Sequence, residues 1–381
     1  MRKVCVVIAS RANYGRIKSV LRAVKEHSEL QLQVVVAASA LLHRFGNVLD
    51  VMRADGFEPD AICHTVIEGN APVAMAKSTG LGIIELATIF EGLQPDIVLT
   101  VADRYETLAT AVAASYMNIP LAHTQGGEVT GSIDESVRHA ITKLAHIHFP
   151  ASARAAENII RMGEDPQRVT LTGCPAMDLL IDIDLSLSEG FFSDLGGVGP
   201  VIDQTKPYIT VLQHPVTTEY GKGRKQIEAT LNAVTQTGVQ TVWLWPNVDA
   251  GSDDISKHLR VFREHNPLAP IRFFKNFTPE NYARLIANCA CLVGNSSSGI
   301  REGAFLGVPA VNIGSRQYRR ECGPNVIHVS YDANQIASAI SSQISHGRYE
   351  QSSIFGSGDA GCKIASVLAC VKLNLKKTLA Y

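Results

Sequence analysis

Several signatures of common enzyme classes are missing from this 381-residue sequence. Its eight cysteines are scattered, with no CxxC pair and no spacing typical of a metal site. In a chain of this size that pattern indicates reduced, mostly buried thiols, so we expect a cytoplasmic protein. The loop after the first predicted strand lacks a GxGxxG fingerprint, which argues against a nicotinamide dehydrogenase. A P-loop GxxxxGK[ST] is missing too.

The sequence also lacks an excess of either charge, because 35 Lys and Arg nearly balance 36 Asp and Glu. No global field would attract nucleic acid or an anionic membrane, so local cationic sites must carry any anion binding. We find no apolar stretch near the roughly 20 residues that a membrane helix needs. The apolar run from Val4 to Ala9 is too short for a signal peptide and predicts a buried first strand.

What the sequence does have is a repeated alternation of short β-branched runs with longer segments of helical periodicity. This is the pattern of parallel βαβ units, and two consecutive doubly wound α/β units are its simplest account. The predicted strands are 3–9, 32–37, 96–101, 120–123, 169–172, 208–212, 240–244, 271–274, 291–293 and 310–313.

The domain organisation follows from where the alternation pauses and restarts. We expect a first Rossmann-like domain at 1–175 and a second at 176–360, with a hinge between Gly173 and Asp184. The stretch 186–206, rich in glycine, reads as less ordered. The last residues, 361–381, contain an amphipathic segment that we expect to pack back on the first domain.

Ligands in open α/β sheets bind at the carboxyl ends of strands, and the residues after several predicted strands are polar. The loop Gly294–Gly299 (GNSSSG) places the hydroxyls of Ser296, Ser297 and Ser298 before a predicted helix that begins at Gly299. Hydroxyls, backbone N–H groups and the helix dipole would favour a phosphate there, and Glu302 could accept from a ribose diol. An ordinary serine N-cap followed by a first-turn acid explains the same residues.

Candidate acid–base groups lie in the loops of the first half. They are Asp103, Glu128, Asp134 and Glu135, with His214 at an equivalent strand end in the second half. Paired acids and an imidazole at a domain interface suit proton abstraction and return. Acids also stabilise helix N-termini, which explains Asp134 and Glu135 without catalysis. His139 has two readings as well, interior histidine or catalyst. Arg11, after the first strand, offers a forked set of donors for a diphosphate, or is a surface arginine.

Seven longer motifs resemble those of the hydrolysing UDP-N-acetylglucosamine 2-epimerases of sialic acid biosynthesis. They are SRANYGR (10–16), ADRYETL (102–108), HTQGGEVTGSIDESVRHAITKLAH (123–146), GCPAMD (173–178), LQHPVTTE (212–219), WPNVDAGS (245–252) and GNSSSGIREGAFLGVPAVNIGSRQ (294–317). The resemblance implies a GT-B fold, with UDP-GlcNAc bound in the cleft between two Rossmann-like domains. It also implies no cofactor, no obligatory metal and a homodimer or homotetramer.

The reaction that this resemblance implies removes the proton at sugar C2, eliminates UDP to a 2-acetamidoglucal, and adds water to give N-acetylmannosamine. It assigns catalysis to Asp103, Asp134, Glu135 and His214, and nucleotide binding mainly to the second domain. Substrate-binding positions are Arg11, Arg104, Arg138, His139, Asn247, Ser296, Ser297, Ser298, Gly299, Glu302 and Arg316.

One position departs from the family pattern. Many relatives carry glutamate in an HxEGG segment where this chain has Gln125, and an amide cannot act as a carboxylate base. Either Gln125 positions substrate while Asp103, Glu128 and Asp134 transfer protons, or the substrate differs. The alternatives are a UDP-linked 2,4-diacetamido-6-deoxy-sugar, a non-hydrolysing 2-epimerase, a GT-B glycosyltransferase and a non-catalytic nucleotide-sugar sensor.

Overall fold

Two six-stranded parallel sheets form the framework of the chain. A computed structural model describes residues 1–42, 48–69, 71–247 and 249–381, so Val248 of the WPNVDAGS motif lies outside the described residues. The first sheet contains β1 (Arg2–Ile8), β2 (Leu30–Ala37), β3 (Ala61–Cys63), β4 (Ile97–Val101), β5 (Leu121–Thr124) and β6 (Ile147–Phe149). The second contains β7 (Tyr208–Leu212), β8 (Gln240–Leu244), β9 (Ile271–Phe274), β10 (Cys291–Gly294), β11 (Ala310–Ile313) and β12 (Val326–Val329).

Helices cover both faces of each sheet. They are α1 (Arg11–Glu26), α2 (Val48–Ala54), α3 (Pro72–Leu93), α4 (Tyr105–Tyr116), α5 (Asp134–Leu144), α6 (Ala153–Arg161), α7 (Ala176–Asp182), α8 (Phe191–Asp194), α9 (Gly223–Thr237), α10 (Ser252–His265), α11 (Pro279–Asn288), α12 (Arg301–Leu306), α13 (Ala333–His346) and α14 (Ala360–Cys370). We call β1–β6 with their helices the first domain and β7–β12 with theirs the second.

Both sheets have the same doubly wound strand order. The first runs β3-β2-β1-β4-β5-β6 and the second β9-β8-β7-β10-β11-β12. Every pairing is parallel, for example Val4 with Leu32 and with Ile97. The order reverses between β1 and β4 and again between β7 and β10, so crevices open at those strand ends. Two Rossmann-like domains in a GT-B arrangement are confirmed.

The buried strand β1 shows why the alternating pattern folds this way. Val4, Val6 and Ile8 face the core under α1, whereas Cys5 and Val7 face the core under α3 and α4. Because both faces are covered, the whole run is apolar rather than alternating. The strand therefore ends where the first polar side chains can reach solvent or ligand.

Three of the sequence-based expectations were wrong or incomplete. Residues 169–172 are not a strand; Val169 makes an isolated bridge to His148, and the sixth strand is the short β6. This strand has only three residues, and His148 interrupts its apolar pattern. The short strands β3 and β12 were also missed. The stretch 186–206, expected to be less ordered, contains α8 with Phe191 and Phe192 buried.

The expectation that no apolar stretch approaches membrane-spanning length was also wrong. Helix α3 has 22 residues and is long and apolar enough to cross a bilayer by length and composition. In this fold it packs on α4, where a side chain at Gly82 would meet the Cβ of Ala109 at 3.0 Å. Leu86 and Phe90 of α3 join the buried core beneath it. Its apolar composition is therefore partly explained by helix packing.

Two segments connect the domains, and they cross at a pair of glycines. A Cβ at Gly173 would lie 2.7 Å from the Cα of Gly356, and both residues have positive φ, 85° and 115°. Beyond the crossing, Asp178 accepts from the backbone N–H groups of Ala360 and Gly361 at 3.0 and 2.7 Å. This places α14 on the first domain, where its Ile364 and Leu368 are buried in the same core as α1.

Candidate functional site

The carboxyl ends of the two sheets face each other across a cleft with an open cavity of about 1080 Å³. Polar side chains that line it are Arg11, Arg16, His214, Asn247, Ser296, Ser297, Ser298, Glu302 and Arg316. They follow β1, β7, β8, β10 and β11, which places them at or beside the two reversals of strand order. The cavity has cationic groups on both sides, Arg11 and Arg16 from the first domain and Arg316 from the second.

Arg11 reaches across the cleft from the start of α1. Its guanidinium donates to the carbonyl of Lys275 at 3.0 Å and to the side-chain oxygens of Asn276 and Asn247 at 2.9 and 3.2 Å. All three acceptors belong to the second domain. The Arg11 guanidinium is therefore held at the domain interface. This position fits an anion-binding role better than the alternative that Arg11 is an ordinary surface arginine.

Asp103 is held by Arg138, which is fully buried and lies on α5. Arg138 donates to Asp103 through Nε at 3.1 Å and through Nη2, and its Nη1 donates to the carbonyl of Glu128 at 2.7 Å. Burial alone would raise the pKa of Asp103, but the guanidinium groups of Arg138 and Arg16 hold it well below its usual range. Asp103 is therefore a fixed negative charge.

Asp134 sits in a different environment at the N-terminus of α5. Its nearest cation is Arg316, at a loose 3.7 Å between Nη2 and Oδ2. Burial, followed by the charge of Asp103, raises the pKa of Asp134. Two carboxyl groups in one site thus have pKa values pushed in opposite directions, which is the arrangement that separates acid–base roles.

The other predicted acids are occupied by arginine and histidine. Glu135 accepts from the backbone N–H of Thr130 at 2.7 Å, from Arg138 at 3.0 Å and contacts His139 Nε2 at 2.9 Å. His139 is thus held on α5 by its neighbour one turn away.

Glu128 is clamped between two arginines of the second domain, Arg301 at 3.1 Å and Arg320. Burial would raise the pKa of Glu128, yet these arginines lower it to about 2. A carboxylate so strongly stabilised as an anion is a poor proton acceptor.

Gln125 is 1% exposed and has a positive φ of 59°. Its Oε1 accepts from Arg301 Nη1 at 2.7 Å, and its Nε2 lies 3.5 Å from Cys174 Sγ. The amide therefore bridges the first domain to an arginine of the second. This contact gives position 125 a structural role without any proton transfer.

His214 is buried and held in a defined tautomer. Its Nδ1 accepts from the backbone N–H of Asn247 at 3.2 Å, and Asn295 fixes its backbone through both N–H and carbonyl. Burial, together with Arg316 and Arg11, lowers the pKa of His214 well below its ordinary value. A neutral ring that accepts at Nδ1 carries its proton on Nε2. His214 is then a hydrogen-bond donor at the cavity wall.

The serine loop is shaped differently from the expectation. A single 3₁₀ turn covers Ser297–Gly299, and the following α12 has only six residues and begins at Arg301, not at Gly299. Ser296 Oγ accepts from the N–H of Ser298 at 3.3 Å, which is the N-cap predicted as the ordinary reading. Gly299 is packed, because an added Cβ would lie 3.3 Å from Ala310 Cβ. Any anion site here depends on hydroxyls and arginines, since α12 is too short for a helix-dipole argument.

Glu302 lines the same cavity, with its Oε2 lacking a hydrogen-bond partner among the described residues. Arg316 reaches the loop from the far side and donates to the carbonyl of Asn295 at 3.2 Å. Arg104, by contrast, is engaged by Glu106 at 3.1 Å and by Asp249 at 2.9 Å. It joins the two domains beside the cavity.

Sequence reasoning missed three arginines that organise the site: Arg16, Arg301 and Arg320. Arg16 donates to Ser297 Oγ at 2.7 Å, and Arg301 donates to the same oxygen at 3.1 Å. No local sequence signal singles them out, because each has its partner in the other domain: Arg16 at Ser297, and Arg301 and Arg320 at Glu128.

Comparison with known proteins gives a consistent result. The profile of a family described as UDP-N-acetylglucosamine 2-epimerase matches residues 22–369. A UDP-N,N'-diacetylbacillosamine 2-epimerase (hydrolyzing) of Legionella pneumophila is 31% identical, covering 100% of both chains. A UDP-N-acetylglucosamine 2-epimerase of Neisseria meningitidis serogroup B is 27% identical over 94% of this chain and 92% of the relative.

Solved structures agree in fold. The UDP-GlcNAc 2-epimerase of Methanocaldococcus jannaschii, in complex with UDP-GlcNAc and UDP, has a TM-score of 0.80 at 16% identity, covering 96% of this chain and 99% of that one. The Neisseria meningitidis enzyme bound to UDP-GlcNAc has a TM-score of 0.77 at 18% identity, with the same coverage.

Proposed function

The chain belongs to the UDP-N-acetylglucosamine 2-epimerase family, and from that premise we propose that it is a hydrolysing UDP-sugar 2-epimerase. The observation that carries this proposal is the pair Asp103 and Asp134, whose pKa values are pushed in opposite directions, with Asp134 lying 3.7 Å from Arg316 of the cavity wall. One edge of the cleft has groups suited to proton transfer, and the other has groups suited to a departing diphosphate.

The first step is removal of the proton on C2 of the sugar. Among the four predicted acids, Asp134 is the one whose pKa is raised and whose ion pair is long. We assign it the role of general base, because a base with a higher pKa has more driving force to accept the proton. Asp103 stays ionised against Arg138 and orients the α5 end on which Asp134 sits.

The second step breaks the bond between C1 and the diphosphate oxygen, leaving a 2-acetamidoglucal and UDP. Negative charge develops on the diphosphate. It meets the Nε2–H of His214, the hydroxyls of Ser296, Ser297 and Ser298, and the guanidinium groups of Arg11 and Arg316, all at the cavity wall. Such preorganised donors stabilise the leaving group without a metal or a cofactor in the proposed reaction.

The third step adds water across the C1=C2 double bond. The hydroxyl of the water joins C1, and a proton joins C2. Because this proton arrives on the face opposite to the one from which the first proton was removed, the product is a free sugar inverted at C2. In the proposed binding mode, the ribose diol donates to Glu302, whose Oε2 has no partner among the described residues. Asn247 sits beside Arg11 and His214 and links the two.

Two substrates fit this chemistry. UDP-GlcNAc would give N-acetylmannosamine and UDP. UDP-N,N'-diacetylbacillosamine, a 2,4-diacetamido-6-deoxy sugar, is the second candidate because the full-length relative at 31% identity carries that name. Since the two sugars differ only at C4 and C6, a few pocket contacts worth about 1–3 kcal/mol each would separate them.

The deciding experiment incubates the protein with each UDP-sugar in D2O, without an acceptor, and follows the products by NMR. The proposal expects free C2-inverted sugar with deuterium at C2, and one equivalent of UDP. Release of the inverted UDP-sugar would favour a non-hydrolysing epimerase. Turnover only on addition of a sugar acceptor would favour a glycosyltransferase, and binding without UDP release would favour a sensor.

We further propose a cytoplasmic homodimer or homotetramer. On α3, Val73 and Ile84 are 59% and 66% exposed, and eleven residues apart they lie on one side of the helix. A second copy of the chain is the occupant that this apolar side would suit. Light scattering should then show a defined oligomer that Ile84→Glu weakens, whereas a monomeric wild type would rule the assembly out.

A further inference from the structure

The hydroxyl of Ser297 accepts two hydrogen bonds from two arginines. Arg16 Nη2 donates to it at 2.7 Å and Arg301 Nη2 at 3.1 Å. The first arginine belongs to α1 of the first domain and the second to α12 of the second domain. Both acceptor sites of the hydroxyl oxygen are thereby filled, since a serine hydroxyl has two lone pairs and one proton.

The remaining proton of Ser297 can only be donated. Ser297 lines the cavity, and no acceptor for its O–H is found among residues 1–42, 48–69, 71–247 and 249–381. Accepting from two cations also polarises the O–H bond, which strengthens its donation to an anion.

Arg301 itself does not line the cavity, and its other nitrogen is anchored in the opposite domain. Nη1 donates to Gln125 Oε1 at 2.7 Å and to Glu128 Oε1 at 3.1 Å. The residue is 1% exposed, so its guanidinium has no solvent to satisfy it. The pair of bonds on Ser297 therefore exists only when the two domains are in contact, because Arg16 and Gln125 both come from the first domain.

We propose that Arg301 and Arg16 are positioning residues that make the Ser297 hydroxyl an obligate donor to a diphosphate oxygen, with Gln125 holding Arg301 in place. The inference rests on the proposed function and deepens it, since it connects domain closure to the grip on the leaving nucleotide. It also gives Gln125 a task that an amide performs: its oxygen orients Arg301, which forms an ion pair with Glu128.

The test compares the affinities of UDP and uridine by calorimetry in wild type, Arg301→Gln, Ser297→Ala and the double variant. Uridine lacks the diphosphate, so a role through Ser297 should change only UDP binding. Each single variant should weaken UDP binding about 10- to 150-fold, the usual strength of a hydrogen bond to a charged group. Uridine binding should stay within about twofold, and the double variant should be no worse than either single one.

Arg320→Gln is the matched control. It removes a buried arginine from the same carboxylate, Glu128, but has no contact with Ser297. The ratio of UDP to uridine affinity should therefore remain that of the wild type. If Arg301→Gln unfolds, Arg301→Lys replaces it, because one ammonium keeps the charge beside Glu128 but cannot fork between Gln125 and Ser297.

Additive losses in the double variant, equal losses of UDP and uridine, or unchanged UDP binding would each overturn the inference. In those outcomes the wild type still binds UDP, and the proposed function stands. A wild type that binds no UDP would instead overturn the proposed function and this inference together.

Discussion

The two sheet edges that face the cleft neutralise their charges in different ways. On the first domain, Asp103, Glu128 and Glu135 are each paired with buried arginine or histidine. On the second, the cavity wall carries neutral donors, His214 and the three serines, together with Arg316 and the carboxylate of Glu302, which has an oxygen unpartnered among the described residues. The carboxylates named on the first edge already have ion-pair partners without a ligand. The second edge has hydrogen-bond donors and a carboxylate oxygen that a ligand can use.

Asp134 is the exception among the acids of the first edge. Its carboxyl group has one distant cation and a raised pKa among neighbours whose pKa values are lowered. A site that fixes most of its acids as anions leaves the remaining one to exchange a proton.

Asp134→Asn should remove turnover almost completely. Loss of a general base typically costs about 10²- to 10⁴-fold in rate, and the amide keeps the size of the side chain. UDP affinity and thermal stability should stay near the wild type, because among the described residues the only ion pair of the Asp134 carboxylate is the 3.7 Å contact with Arg316. Steady-state kinetics measures the turnover, and calorimetry measures the UDP affinity.

Asp103→Asn is the informative partner variant. It should also abolish turnover while largely preserving UDP binding, but it should lower stability as well, since it leaves Arg138 buried with one anion fewer. If Asp134→Asn were the less stable of the two variants, the contrast between an ion-paired Asp103 and a proton-exchanging Asp134 would be wrong.

The pH dependence of kcat should follow Asp134. A base acts when deprotonated, so activity is lost as pH falls through its pKa, which burial and Asp103 raise above the ordinary aspartate value. His214, with its pKa well lowered, stays neutral across that window. His214→Gln should then reduce the rate about 10²- to 10³-fold without moving the acidic limb of the pH profile. If the acidic limb of the kcat profile disappeared in His214→Gln, the titrating group would be His214 and not Asp134.

Gln125→Glu should not rescue Asp134→Asn. A carboxylate at position 125 would lie against Arg301, now 2.7 Å from the amide oxygen, and that cation would lower its pKa. The double variant should therefore be as inactive as Asp134→Asn, within about threefold. Recovery of deuterium incorporation at C2 would show that position 125 can act as the base in this fold, as family resemblance alone suggests.

Gly131→Ala should affect closure more than binding. The N–H of Gly131 donates to the carbonyl of Arg316 at 3.0 Å, and an added Cβ would lie 2.0 Å from the carbonyl oxygen of Ser315. The two domains could then not approach as closely, and kcat should fall about tenfold, since small displacements are costly in catalysis. Gly92→Ala, with nothing within 4 Å of its added Cβ, is the control and should match the wild type.

The sequence predicted those parts of the fold and site that depend on local pattern. Strands β7, β8, β9 and β11 lie at the predicted residues, because each is a short bounded run rich in β-branched or aromatic residues. The arginine network was not predictable in the same way. Arg301 and Gln125 are 176 residues apart, and their contact needs both domains in place. Helix α12 was expected to begin at Gly299, but a 3₁₀ turn occupies Ser297–Gly299.

The smallest expected effect lies outside the cleft, at Lys377 in the tail after α14. Its ammonium donates to the carbonyls of Thr142, at 3.0 Å, and Ala145 at the end of α5, and pairs with Glu164 at 2.6 Å. Lys377→Met should lower the free energy of unfolding by about 1–2 kcal/mol and change kcat little. The exposed neighbour Lys376→Met is the control and should be neutral.

The stability difference between Lys377→Met and the wild type should itself depend on pH. Burial would raise the pKa of Glu164, but hydrogen bonds from His148, Lys143 and Lys377 lower it to about 2. A carboxyl group with a depressed folded pKa contributes stability that is present above its unfolded pKa and is lost as pH falls toward the folded one. Urea unfolding should therefore show the Lys377→Met deficit at pH 7 and a shrinking deficit below about pH 4.5, near the ordinary glutamate pKa. A deficit that stays constant to pH 3 would mean that Lys377 stabilises α5 through the two carbonyls alone.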